Sequence, residues 1–193
     1  MLQAGLHNLR QASVRMTEVS PRDGLQHELE FVPTLRKISL INALSRTGVT
    51  EIEAGSFVSP AAIPQLADSD EVLRAIDRIP GVTYSALVPN ERGLERARAA
   101  GVDKIAVFTA ASNSFTRHNI KATVQESLVR FRPIVAAAKR DGMAVRAYLS
   151  TVVFCPYEGR IAPTQVRDVM ERLLGLAVDD ISFEVAAGSV FAF

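Results

Sequence analysis

The strongest constraint on what this chain can fold into is an alternation: β-rich apolar runs trade places with segments of helical spacing along nearly its whole length. The runs are SVRMTEV (13–19), VTEIEAGSF (49–57), VTYSALV (82–88), DKIAVFT (103–109), MAVRAYLST (143–151) and VDDISFEV (178–185). Between them, TLRKISLINALSRTG (34–48) predicts a helix stopped by Gly48. DSDEVLRAIDRIPG (68–81) has acids in its first turn and Arg78 near its end, as the helix dipole favours. NERGLERARAAG (90–101) ends at Gly101, and APTQVRDVMERLLG (162–175) opens with Pro163 and closes with Gly175. KATVQESLVRFRPIVAAAKRDG (121–142) is long and holds Pro133 inside it, which predicts a kink or break there. Strands joined by helices through short connections pair in parallel with right-handed crossovers. An open doubly wound sheet and a (β/α)₈ barrel both satisfy that rhythm.

The polar residues favour the barrel. No glycine-rich dinucleotide turn follows the first strand, where Gly24 stands alone. Polar clusters sit instead at the C-terminal ends of several strands, where barrel enzymes keep their chemistry. About six strands can be counted, whereas a full barrel has eight and typically about 250 residues. The expected fold is therefore α/β, a parallel TIM-type barrel that is incomplete, with about six of eight βα units in one domain over residues 1–193.

Composition excludes several partners. The chain has 193 residues, 48% hydrophobic, with a formal net charge of +1, which suits one sizeable core and gives no electrostatic reason to expect nucleic acid or an anionic membrane. No apolar run approaches the roughly 20 residues of a membrane span. Cys155 is the only cysteine, so no internal disulfide can form and a reducing compartment is permitted. Residues 1–14 lack acids and carry Arg10, as a transit peptide could, but the stretch is short and its end belongs to the first strand. Cytoplasmic residence is the expectation.

Four polar stretches are candidates for chemistry. After the first strand come Glu18, Arg22, Asp23 and Gln26. An aspartate beside an arginine can ligate a hard cation while the arginine holds an oxyanion, or the two can form a surface pair in a turn, worth under about 1 kcal/mol. In the second strand, Glu51 and Glu53 fall on one side of the pleat. A strand buried on both faces should be almost wholly apolar, so these carboxylates need partners: one facing inward could pair with Arg22 and fix it, or both could point to solvent from an edge, and Glu53, nearer the C-terminal end, is the one expected to serve a site. The segment FTAASNSFTRHNI (108–120), with Arg117, His118 and Lys121, reads as a loop that either binds a polar ligand or caps a helix through Asn119 or Ser114. Cys155, in STVVFCPYEGR (150–160), lacks an activating neighbour and reads as a small buried residue. The histidines, His7, His27 and His118, form no metal-binding pair, which leaves Asp23 as the one carboxylate expected on a cation.

With these residues in view, the chain resembles the hydroxymethylglutaryl-CoA lyases, a family of barrel metallolyases. The resemblance rests on VSPRDGLQHE (19–28), IEAGSFVSPAAIPQLAD (52–68), SFTRHNI (114–120) and CPYEGRI (155–161), in the family's order and spacing over residues 14–182. It implies retro-Claisen cleavage of a 3-hydroxy acyl-thioester to acetyl-CoA and acetoacetate, with Mg²⁺ or Mn²⁺ as cofactor and an acyl-CoA as partner. Asp23 would be a metal ligand, Arg22 would stabilise the enolate oxygen, and Glu53 would support Arg22. Gln26, Ser56, Asn119 and Lys121 would meet the substrate, the last two in a loop near its coenzyme A portion.

The departures matter as well. The family's H-x-H pair, its asparagine ligand and its mobile-loop cysteine have no counterpart, and its active-site aspartate after the sixth strand falls on Val185. A divergent tail spans 183–193, and a coding frame change near residue 183 would produce it, which sequencing beyond the stop would test. The expectation is weak or absent metal binding, impaired turnover, and self-association through unpaired sheet edges. A non-catalytic remnant that binds acyl-CoA weakly, and a Claisen-type synthase, are the alternatives.

Overall fold

The structure is a computed structural model that describes residues 15–185. Residues 1–14, weighed as a transit peptide, and most of the divergent tail (186–193) lie outside the described residues. Six strands form one sheet: β1 (Thr17–Glu18), β2 (Glu51–Ser56), β3 (Thr83–Leu87), β4 (Lys104–Ala110), β5 (Ala144–Ser150) and β8 (Asp180–Glu184). They pair in that order and every pair is parallel. A small antiparallel hairpin, β6 (Phe154–Cys155) with β7 (Gly159–Arg160), stands apart from the sheet. The helices are α1 (Thr34–Leu44), α2 (Ser69–Ala75), α3 (Glu91–Ala99), α4 (Asn113–Ile120), α5 (Val124–Arg140) and α6 (Pro163–Leu174).

The sheet curls, and side chains meet across its concave face. Arg146 on β5 donates to Thr17 on β1 at 3.1 Å, and Tyr148 on β5 donates to Glu53 on β2. Such contacts between strands three or four places apart require the arc of a barrel wall, not a flat sheet. The architecture is six strands of an incomplete TIM-type barrel. On the convex side, Ile52, Ile105, Val107, Val145 and Leu149 belong to the main core, into which the helices set Leu73, Leu94, Phe131, Ile134 and Leu173. Gly55 lets β2 approach α2 closely: a β-carbon there would lie 2.8 Å from Ser69 Oγ, which accepts the Ser56 N–H at 3.0 Å.

Several local expectations are corrected. The first strand is two residues long, because the chain turns at Val19, whose carbonyl accepts the N–H groups of Arg22 and Asp23. The helix expected to run to Pro80-Gly81 stops at Ala75, where Ile76 is extended and buried. Arg78 instead donates to Ala100 O at 3.1 Å, satisfying a carbonyl at the end of α3. No break occurs at Pro133: the helix runs through it. Pro133 is exposed, and Val129, whose carbonyl lacks the proline's N–H, is 57% exposed, so water can replace that bond. The segment expected as a loop at 108–120 is mostly β4 and α4, and the cap is neither Asn119 nor Ser114 but Ser112, which accepts the Phe115 N–H at 3.0 Å.

Candidate active site

The turn after β1 positions the first polar cluster. Ser20–Gly24 forms a single wide π-helical turn with Pro21 at its start, and it buries Arg22 at the C-terminal end of the sheet. Arg22 Nε donates to Glu53 Oε1 at 3.0 Å, and Nη2 donates to Glu53 Oε2 at 3.2 Å. Glu53 has no exposed surface, so the surface-pair alternative for Arg22 is excluded. Nη1 donates to Asp23 Oδ1 at 2.8 Å, and Gln26 Nε2 donates to the same oxygen at 2.8 Å. Three of the five guanidinium N–H groups are thus fixed by these bonds. Burial alone would lower the Arg22 pKa, but the charge and hydrogen bonds of Glu53, with Asp23 behind them, hold it above the ordinary arginine value.

The concave face around this cluster encloses a cavity of about 430 Å³, lined by Arg22, Asp23, Tyr148 and Glu184 at one end and by Glu51 and Asp180 at the other. Glu51 is buried and pairs with Lys104 and Arg146, each at 3.0 Å; those two cations also bind Asp180, at 2.6 and 2.5 Å. Two cations and two carboxylates close the N-terminal layer of the barrel arc. Burial would raise the Asp180 pKa, but the bonds from Arg146 and Lys104 outweigh it and hold it low. Glu51 therefore serves this layer, while Glu53 serves the mouth.

Asn119 and Lys121, also expected at the substrate, lie in a second place, and Ser56 lines neither cavity. Asn119 is buried, and Lys121 ends α4 in the left-handed region, at φ 53°, with Nζ donating to His118 O. Both line a mostly apolar cavity of about 200 Å³, with Leu87, Phe108, Ile120 and Arg130. Its lining shares no residue with that of the first cavity. An apolar cluster of Leu87, Ala106 and Tyr148, with Val58 and Phe108 against it, bridges the two. Ser56 is fully buried and its Oγ accepts the Val58 N–H at 3.3 Å. Cys155 is buried against Ser112 Oγ at 3.0 Å, as the reading of a small buried residue expects.

Two site residues escaped the sequence reading. Tyr148, on β5, reaches across the arc and donates its hydroxyl to Glu53 on β2. Glu184 accepts the Ser150 hydroxyl and shares the cavity with Arg22 and Asp23. Burial pushes the Glu184 carboxyl above its ordinary pKa; the Ser150 bond and Arg22 oppose that, and the charges of Asp23 and Glu53 add to it. Val185, at the position of the expected aspartate, is 59% exposed, so the inward carboxylate comes from its neighbour. The signal for both was alternation: Arg146, Tyr148 and Ser150, like Asp180, Ser182 and Glu184, put a polar residue at every second position of a strand expected to be apolar on both faces.

The residues present do not by themselves fit a held divalent ion. Among the described residues no group of three His, Cys, Asp or Glu side chains could ligate one, and Asp23 Oδ1 already accepts two hydrogen bonds. Nor, among the described residues, is any helix long and apolar enough to cross a membrane.

Comparison with known proteins bears on the family and the fold. The model of a family described as HMGL-like matches residues 13–188. Mitochondrial hydroxymethylglutaryl-CoA lyase of Bos taurus is 48% identical over 169 residues, covering 88% of this chain and 52% of the bovine protein. Among solved structures, the HMG-CoA lyase from Brucella melitensis superposes with a TM-score of 0.87 at 51% identity, covering 88% of this chain and 60% of that one. An HMG-CoA lyase from Acinetobacter baumannii in complex with coenzyme A and 3-methylmalate gives 0.84 at 39% identity, covering 88% and 55%. The chain thus spans about half the length of the curated relatives it matches, and those relatives carry both mitochondrial and cytoplasmic names.

Proposed function

The chain belongs to the HMGL-like family, and from that premise we propose that it carries the thioester-facing part of a carbon–carbon lyase site for 3-hydroxy-3-methylglutaryl-CoA. The observation that carries the reading is the buried, two-bond pairing of Arg22 with Glu53 at the mouth of the barrel arc. In retro-Claisen cleavage the carbon–carbon bond breaks as a thioester enolate forms, and negative charge grows on the thioester oxygen. Fixed N–H groups in a buried setting stabilise such charge far more than water-exposed ones. Glu53 and Asp23 hold Arg22 in place, and the two remaining N–H groups of its fork are left for the enolate oxygen. Gln26 steadies Asp23. Asp23 is the one residue here proposed to reach the family's divalent cation, Mg²⁺ or Mn²⁺.

The second cavity suits the rest of the ligand. Its apolar wall fits a pantetheine arm, and Lys121 and Arg130 supply cations for phosphates. Asn119 and Ser56 would border that path. The coenzyme A held by the Acinetobacter relative supports an acyl-CoA as the partner here. Cytoplasmic residence is the proposed location, in keeping with the cytoplasmic names that some of the relatives carry. With one carboxylate offered to a metal among the described residues, the chain is expected to turn over slowly if at all. Among the described residues β1 and β8 stand at the two ends of the sheet, and their outer edges are expected to associate with other chains.

An acetoacetate-release assay with 3-hydroxy-3-methylglutaryl-CoA and magnesium, run beside calorimetry with the same thioester, tests the reading. Binding with little turnover is the expected result. Robust turnover refutes the expected impairment, and no binding refutes the site.

A further inference from the structure

We propose that Tyr148 is a positioning residue for Arg22, acting through Glu53 from the one side and through its ring from the other. The proposal rests on the reading of Arg22 as the group that meets the thioester. Tyr148 stands on β5, across the barrel arc from both partners, and is 5% exposed. Its hydroxyl donates to Glu53 Oε2, the oxygen that also takes Arg22 Nη2. The Arg22 guanidinium carbon lies 5.4 Å from the centre of its ring. A cation that close to an aromatic ring is held by the ring's electron-rich face. Three groups from β2, β5 and the turn after β1 therefore restrain one another, and a guanidinium that could tilt about its bonds to Glu53 is fixed in orientation as well as position.

The arrangement needs the phenol to keep its proton. As a phenolate it would place a second anion beside the buried Glu53, with no donor between them. Burial, and then the charge of Glu53, push the Tyr148 hydroxyl well above the ordinary tyrosine value; Arg22 opposes them and is outweighed. The phenol is thus a permanent donor at neutral pH. Tyr148 also joins the apolar cluster that bridges the two cavities, so the tether sits where a thioester would pass from one to the other.

The test reads Arg22 directly, by nitrogen NMR of ¹⁵N-arginine-labelled protein, with the Nε–H signal assigned through R22K. Y148F removes one oxygen and leaves the ring. The expected result is a rise of about tenfold or more in Arg22 Nε–H exchange while core amides such as Val107 exchange as before, the mark of local rather than global opening. An unchanged Arg22 signal overturns the proposal, and so does an equal rise at every core amide. A second measurement needs no substitution at Tyr148. With 3-fluorotyrosine at all three tyrosines, the Tyr148 fluorine signal should titrate at higher pH than free 3-fluorotyrosine and should shift in R22K while that of Tyr84 does not. Titration of Tyr148 at the pH of free 3-fluorotyrosine, or indifference to R22K, contradicts it. Neither readout uses an acyl-CoA, so failure here leaves the lyase reading standing, and a failure of thioester binding leaves the tether standing.

Discussion

Arg22 and Glu53, thirty-one residues apart in sequence, meet through two hydrogen bonds of 3.0 and 3.2 Å with the carboxylate wholly removed from solvent. A buried pair of this kind contributes little over an apolar substitute, but breaking it leaves one charge stranded.

Arg22→Gln is therefore expected to destabilise the chain by about 3–5 kcal/mol, since it leaves the Glu53 charge without its cation. Glu53→Gln strands Arg22 in the same way, although Arg22 keeps Asp23. The double substitution R22Q/E53Q should recover much of either loss. Urea denaturation of the three variants checks this; strictly additive losses would show that the pair is not coupled.

The ion quartet at the other end of the barrel arc should behave alike. Lys104→Met leaves Glu51 and Asp180 sharing only Arg146, and about 3 kcal/mol of stability should be lost. Because burial is outweighed and the Asp180 pKa is held low, its contribution is present above the unfolded aspartate pKa and disappears as pH falls through the folded one. An Asp180→Asn variant should accordingly be less stable than the parent at pH 7 and approach it in acid, as thermal melts across pH would show.

Glu184 has the opposite sign. Its folded pKa is raised, so the folded state holds the proton more tightly than the unfolded one between the two pKa values. Stability therefore falls as pH climbs through that window. Glu184→Gln should be more stable than the parent at neutral pH, with the advantage shrinking toward pH 4. An advantage that is constant with pH would show that the carboxyl does not titrate there.

How far this was legible in the sequence differs from element to element. The parallel strands were readable because their apolar runs are short, β-branched and bounded by turn residues, as in DKIAVFT. Arg22, Asp23 and Glu53 were readable because charge has no cheap place at the end of a buried strand. The helix at Asn113–Ile120 was not, because Ser112, Asn113 and Ser114 favour turns and caps as strongly as helix, and only Ser112 takes the cap. Tyr148 and Glu184 were missed because their meaning is set by strands far away in sequence. Tyr148 reads as an ordinary core aromatic until β2 is curled to face it, and Glu184 reads as a solvent residue until Ser150 is beside it. Pro133 misled because the cost of a proline in a helix depends on whether the abandoned carbonyl is wet.

Lys121 separates ligand binding from folding. It is held at φ 53°, where a side chain costs roughly 1–2 kcal/mol relative to right-handed backbone. Lys121→Gly should leave stability unchanged or raise it by about 0.5 kcal/mol, while weakening coenzyme A by about threefold in low salt through loss of one cation. Equal coenzyme A affinity in the variant, read by calorimetry, would remove Lys121 from the ligand path.

The most direct measurement compares 3-hydroxy-3-methylglutaryl-CoA with coenzyme A itself by calorimetry, in the parent chain and in Arg22→Lys. The lysine keeps the charge but loses the planar fork that Glu53 holds. The account predicts that the parent binds the thioester more tightly than coenzyme A and that the difference disappears in the variant, with coenzyme A affinity unchanged. A parent that binds both ligands alike, or a variant that keeps the preference, would contradict a site built around Arg22.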